Sequence, residues 1–178
     1  INMKKTVLVL SLIAFTSVLF AQTKKTTSAT VAFDATTAID ALPKAENKTV
    51  IAEIDTKTGQ IGFEAAVKNF TFTNPTIQAH FNEERWLSSD KFPAFTFMGK
   101  ISDVTKYNFS KNGVYNVTVT GQLTIKDKTN NVTTPATIEV KNGTLIANAS
   151  FSIVLADYGI QVGTAGKIAG EPRITVSA

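Results

Sequence analysis

The sequence predicts an all-β protein, an antiparallel arrangement of about eight short strands with one short helix, and three observations carry that prediction. The first is the stretch GVYNVTVTGQLTI, Gly113 to Ile125, in which Tyr115, Val117, Val119, Gly121, Leu123 and Ile125 alternate with Asn116, Thr118, Thr120, Gln122 and Thr124. A period of two puts one set of side chains on an apolar face and the other on a hydroxyl- and amide-rich face of a strand. The second is that the pattern returns twice, in TTPATIEV and in TLIANASFSIVL, with Asn142-Gly143 between them. That dipeptide favours the positive φ angles of a two-residue hairpin turn. The third is that the remaining chain breaks into short alternating runs at close spacing, with one convincing helical turn. Sandwich and barrel both satisfy this pattern. A barrel of about eight strands removes its own edges and leaves an interior just wide enough for a small or slender ligand.

The elements follow in order. Met3-Lys4-Lys5 is basic, the run from Thr6 to Phe20 is almost wholly apolar, and Ala21 precedes a polar segment. This is the layout of a signal peptide over residues 1–21, cleaved after Ala21. The apolar run is about 15 residues, short of the roughly 18–20 that span a bilayer. A single mature domain over 22–178 is then expected, exported to the periplasm or beyond, with no stable membrane insertion after cleavage. SATVAF (28–33) reads as the first strand. Residues 34–48, interrupted by Pro43, hold a strand or turn ending near 45–48, and TVIAEID (49–55) is strand-like. After a turn ending at Gly59 comes a long alternating run over 60–72, whose phase shifts near Asn69 and so predicts a bulge or bend. Asn74-Pro75 ends it. Residues 76–81 read as a further strand, and Asn82 reads as the cap of the short helix, with Glu83 and Glu84 in its first turn. Phe95, Phe97, Gly99 and Ile101 resume the alternation, and Lys111-Asn112-Gly113 turns into the three template runs. A loop through Gly163, Gly166 and Gly170 leads to a last strand near the C-terminus, 172–178.

Composition removes several function classes. The chain has 178 residues, 43% of them hydrophobic and 18% charged, so it supports a sizeable core. It has no cysteine, which leaves no disulfide, thiolate metal site or thiol nucleophile. One histidine, His80, cannot build a poly-histidine metal site, and no cofactor is expected. The formal charge of +4 falls to +2 without Lys4 and Lys5, and no basic cluster is interleaved with aromatics, so nucleic acid is not an expected partner. Phe dominates the aromatics, 12 copies against one Trp and three Tyr. Phe offers burial area with no polar handle, which suits a core and a lipid pocket equally. Asn47-Lys48-Thr49, Asn116-Val117-Thr118 and Asn131-Val132-Thr133 match glycosylation acceptors, which chance explains in a chain so rich in Asn and Thr.

HFNEERWLSSDKFPAFTFMGKI (80–101), GQLTIKDKTNNVTTPATIEV (121–140) and FSIVLADYGI (151–160), in this order and spacing, together resemble the YceI-like family of secreted bacterial proteins. HFNEERWLSSDKFPAFTFMGKI, His80 to Ile101, is similar to that family's short helix, its Leu-Ser element and the Phe-Pro before an aromatic strand. GQLTIKDKTNNVTTPATIEV, Gly121 to Val140, is similar to its Gly-x-Leu-Thr-Ile strand, Thr-bearing turn and return strand. FSIVLADYGI, Phe151 to Ile160, carries the Asp-aromatic-Gly-Ile close in Asp157-Tyr158-Gly159-Ile160. The resemblance covers nearly all of the mature chain. It implies a lipocalin-like antiparallel barrel around a long apolar channel, and a polyisoprenoid or other long amphiphile as the partner. The sequence departs from the family where Lys126-Asp127-Lys128-Thr129 stands in place of a common His-Gly-Val-Thr, and the N-terminal third matches poorly. Both departures bear on the ligand's identity, because loops at a barrel mouth select head groups.

The carrier reading places an isoprenoid, quinone-like or fatty-acyl chain among the inward-facing Phe63, Val67, Phe95, Phe97, Val117, Val119, Phe151 and Ile153, with His80 and Trp86 at the mouth or head group. The competing reading is a structural or surface-interaction barrel whose core these residues fill themselves, with no ligand. Gly121, Ala147 and Ala149 leave room inside the strand pattern, for a ligand or for a neighbouring Phe ring. Catalysis is not expected: Glu83 and Glu84 are adjacent and diverge by about 100° on a helix, and no nucleophile–base–acid order or phosphate-cradling loop is present. A homodimer stays open.

Overall fold

The longest hairpin in the molecule is the one the alternation announces. In the computed structural model, which describes residues 22–178, strands β6 (Gly113–Ile125) and β7 (Lys128–Lys141) pair without a break from Gly113↔Val140 to Ile125↔Lys128. The Lys126-Asp127 turn joins them, with Lys126 at φ 57°. Asn142 (φ 51°) and Gly143 (φ 80°) then turn the chain into β8 (Thr144–Ser152), as a two-residue turn with positive φ at both positions requires.

The other strands are β1 (Thr23–Asp34), β2 (Lys44–Asp55), β3 (Gln60–Ala66), β4 (Thr71–Phe72), β5 (Ala94–Ile101) and β9 (Arg173–Ser177). Every pairing is antiparallel, in the order β1-β9-β8-β7-β6-β5-β3-β2, and β1 pairs with β2 to close the ring. The eight long strands thus form a closed barrel. β4 is a two-residue strap on β2, through Ala45↔Phe72 and Glu46↔Thr71. The expected leader, residues 1–21, lies outside the described residues. Among the described residues no helix is long and apolar enough to cross a membrane.

Four local expectations need correction. The first strand starts at Thr23 rather than Ser28 because it pairs with β2 as far as Thr23↔Asp55. Residues 44–55 form one strand rather than two pieces. The fully buried Asn47 holds that strand through the β1–β2 register shift: its amide donates to the Ala66 carbonyl (2.9 Å), and its Oδ1 accepts from the Thr49 N–H and hydroxyl (both 2.9 Å). The phase shift near Asn69, expected as a bulge or bend, is a bend made by a 3-10 turn, Val67–Asn69, followed by β4. Residues 76–81 are helical. Helix α1 spans Pro75–Asn82, and its cap is Asn74, whose side chain accepts from Thr76 N–H (2.9 Å) and Ile77 N–H (3.4 Å), with Pro75 in the first turn. An Asn cap followed by Pro at the first helical position supplies the pre-set φ and removes an orphan donor. Asn82 therefore ends the helix, and residues 84–87 are turns.

The two barrel ends are built differently. The lower end carries the β5–β6 connection, whose Phe109 packs with Tyr107 (5.8 Å) and Tyr115 (5.2 Å) beneath Ile101, Val117, Val119, Ile138 and Val140. The upper end carries α1 and the connections 35–43, 67–93 and 153–172. There Phe81 meets Phe72 (4.9 Å), Phe70 (5.9 Å) and Phe33 (6.2 Å), and Phe70 meets Phe95 (5.7 Å). A row of rings runs from the helix into the lumen.

Candidate apolar binding cavity

Inward-facing residues of the strands are not equally buried. Ile101, Val117, Ile138 and Val140 in the lower layer are almost fully buried, whereas Phe63, Phe95, Phe97, Leu123 and Phe151 are half-buried although they face inward. The difference is a cavity. The cavity has a volume of about 160 Å³. An apolar cavity of about 150 Å³ accepts a guest the size of benzene, so this one has room for part of an apolar ligand.

Every strand of the barrel contributes to the wall: Val31 and Phe33 from β1, Val50 from β2, Phe63 and Ala65 from β3, Phe95 and Phe97 from β5, Val119, Leu123 and Ile125 from β6, Val132, Ala136 and Ile138 from β7, Ala147, Ala149 and Phe151 from β8, and Ile174 and Val176 from β9. Phe70, Phe81, Trp86, Leu87 and Ile160 form its upper boundary. The wall carries no charged residue, and its only polar members are Thr96, Thr134 and Asn148. Such a surface holds a ligand by removing apolar area from water and offers no acid, base or imidazole for proton transfer. Among the described residues no group of three or more His, Asp or Glu side chains is placed to hold a metal ion.

Six of the eight expected lining residues are in the wall: Phe63, Phe95, Phe97, Val119, Phe151 and Ile153. Two are buried outside it. Val67 sits in the 3-10 turn after β3, fully buried, its N–H bonded to the Pro93 carbonyl (2.8 Å). Val117 faces inward one layer below the cavity floor, among Ile101, Phe109 and Val140. Trp86 lines the cavity at its upper boundary and is partly buried. His80 is not in the wall; it is exposed on α1, with Nε2 3.9 Å from the Glu83 carboxylate. Gly121 does not open the lumen to a ligand directly. A Cβ placed on it would fall 2.5 Å from Cζ of Phe97, so the glycine admits that ring.

Sequence reasoning passed over the wall residues from β1 and β9, and Phe81, Leu87 and Ile160 at the upper boundary. Val31-Phe33 and Ile174-Val176 do alternate in the sequence, and that signal would have found them. Nothing local marks Ile160, which a 3-10 turn, Leu155–Tyr158, carries back over the barrel end.

Shifted ionisations lie away from the cavity. Asp34 is held below the usual carboxylate range first by hydrogen bonds from Thr36 (hydroxyl 2.7 Å, N–H 3.0 Å) and then by Lys44. Asp55 is lowered by the backbone N–H groups of Thr58 and Lys57, and Asp103 by Lys106. Each fixes a turn. Burial pushes the phenol of Tyr158 up.

Known structures share this architecture. A polyisoprenoid binding domain from Saccharophagus degradans, implicated in plant cell wall breakdown, is 11% identical with a TM-score of 0.72, covering 88% of this chain and 95% of that one. BcnA of Burkholderia cenocepacia is 19% identical with a TM-score of 0.68, covering 84% and 94%. The YceI protein of Campylobacter jejuni is 17% identical with a TM-score of 0.52, covering 72% and 78%. At these identities the likeness is one of fold. No curated protein matches the sequence. The pattern of the YceI-like domain matches residues 11–178, nearly the whole chain including every barrel strand. The chain belongs to the YceI-like family.

Proposed function

We propose that the protein is a non-enzymatic carrier that holds the chain of a long amphiphile, an isoprenoid, quinone-like or fatty-acyl compound, inside the barrel. The observation that carries this reading is the half-buried set of inward Phe side chains facing a cavity without a charged residue. Burial of a methylene is worth about 0.8 kcal/mol, so each enclosed carbon of an apolar chain adds affinity with no ionic contact. Membership of the family and the fold shared with a polyisoprenoid binding domain support a binding role over a catalytic one. The basic-then-apolar leader supports export, with 22–178 as the mature domain.

Native mass spectrometry of the purified protein, followed by organic extraction, tests the reading. A retained species of a few hundred daltons with an isoprenoid or acyl signature is expected. A clean apo mass, unchanged after adding quinones, polyprenols and fatty acids, would favour a structural barrel instead. Val119→Trp sharpens the test, because residue 119 lines the cavity and the larger ring grows into it. Uptake is expected to fall, most for the longest chains, while the circular dichroism of the barrel persists. Undiminished uptake by the folded variant would place the ligand elsewhere.

A further inference from the structure

The floor of the cavity is built from residues that touch both the lumen and the lower cluster: Phe97, Val119, Ile138 and Ala147 among them. Phe97 is held in an uncommon way. Gly99 and Gly121 are cross-strand partners on β5 and β6. A Cβ on Gly99 would lie 2.7 Å from Cζ of Phe97, and one on Gly121 would lie 2.5 Å from the same atom. The ring is thus laid into a recess that only a glycine pair leaves open, flat against the wall at the bottom of the lumen. Two residues back, Phe95 packs with the upper cluster instead.

The depth available above this floor follows from the register. Along β6 the wall runs from Val119 to Ile125. That span is about 20 Å at about 3.3 Å per residue, or about 15 Å along the axis of a barrel whose strands tilt by about 40°. An extended carbon backbone advances about 1.2 Å per bond, which makes about a dozen bonds.

Resting on the carrier reading above, we propose that Phe97, seated in the Gly99–Gly121 recess, is the specificity-determining residue that sets the length of chain the protein encloses, at about a dozen carbons by the depth of the lumen. The carbons of a longer chain stay at the upper end, in contact with Trp86 and solvent. Because glycines lie beneath the ring, no neighbouring side chain refills the space when the ring is removed. Phe97→Ala therefore lowers the floor toward Ile101 and Val117 by one inward layer, about 5 Å or about four carbons.

The test offers the purified protein pairs of straight-chain 1-alkanols, from about 8 to about 20 carbons, and reads the preference by native mass spectrometry. Each added carbon is expected to favour the longer alcohol about fourfold while it is enclosed, and not beyond about 12 carbons in the unmodified protein. In Phe97→Ala the turning point is expected near about 16 carbons. If that variant does not fold, Phe97→Leu carries the test with an expected shift of about two carbons. A turning point that stays put in a folded variant would overturn the role of Phe97 and leave the carrier reading intact. No alcohol of any length bound by the unmodified protein or the variant would overturn the carrier reading, and this inference with it.

Discussion

The two ends of this barrel use the same strands and reach opposite results. At the lower end the β5–β6 connection folds into the lumen. Tyr115 shares its hydroxyl between the Asn108 carbonyl (2.7 Å) and the Lys111 carbonyl (2.9 Å), and Phe109 is wedged between Tyr107 and Tyr115. The layer above it is almost fully buried. At the upper end, three long connections, which carry a short helix and two 3-10 turns, cover the lumen, and the residues beneath them face a cavity. A cover made of separable pieces opens at a lower free energy than a plug tied into the sheet. The lower end therefore acts as an internal control for the upper one: it shows what these inward faces look like when side chains fill them.

The strongest way to break this division is to cut one ring from each end. Phe81 (6% exposed) and Phe109 (7% exposed) are buried to the same degree. Replacing either by Ala is expected to cost about 3–5 kcal/mol in urea unfolding. The two variants separate in binding. Phe81 is in the cavity wall and Phe109 is not, so Phe81→Ala changes alcohol uptake by the folded protein while Phe109→Ala leaves it as it was. Equal changes in uptake would mean that the ends are not independent.

The same contrast explains what was legible in the sequence. Which face of a strand looks inward was legible in Tyr115 to Ile125 and in Leu145 to Phe151, because alternation is local. Which layer an inward residue occupies was not. Val117 and Val119 read identically in the sequence, yet one lies in the plug and the other in the cavity wall, since depth depends on how the strands shear around the barrel. Gly121 was ambiguous for the same reason: its partner, the ring of Phe97, comes from the neighbouring strand. At the upper end the misreading was of type. Ile77, Ala79 and Phe81 alternate as a strand would, and eight residues are too few for the helical period to stand out, so the decisive signal was the Asn74-Pro75 start. Helical geometry then turned His80 away from the lumen.

A smaller perturbation sharpens the comparison without removing a wall residue. Asn74→Ala deletes the cap of α1 and is expected to cost about 1 kcal/mol. If the upper cover opens piecewise, the loss appears locally. Amide exchange of α1 quickens, and bound alcohol dissociates faster, while amides of the β6–β7 hairpin keep their protection. Uniform acceleration across both ends would show that the barrel opens only as a whole.

The smallest expected effect comes from pH, and only its alkaline limb separates the ends. Acid does not discriminate between them. Asp34 at the upper end and Asp55 and Asp103 at the lower end are all held below the ordinary value of about 3.9, so each contributes stability above that pH and loses it as the pH falls further. Base does discriminate. Tyr158 is buried in the 3-10 turn at the upper end, and burial raises its phenol above the ordinary value of about 10, against the hydrogen bond from Asn130. A group raised in the folded state contributes fully below its unfolded value and loses that contribution as the pH climbs through the folded one. Above about pH 10 the turn carrying Leu155 and Ile160 over the cavity should therefore loosen first. Tyr158→Phe removes the ionising group and should flatten this alkaline loss, followed as alcohol release and as phenolate absorbance. An alkaline release that persists unchanged in Tyr158→Phe would assign it to some other group and leave the upper cover without a pH-sensitive part.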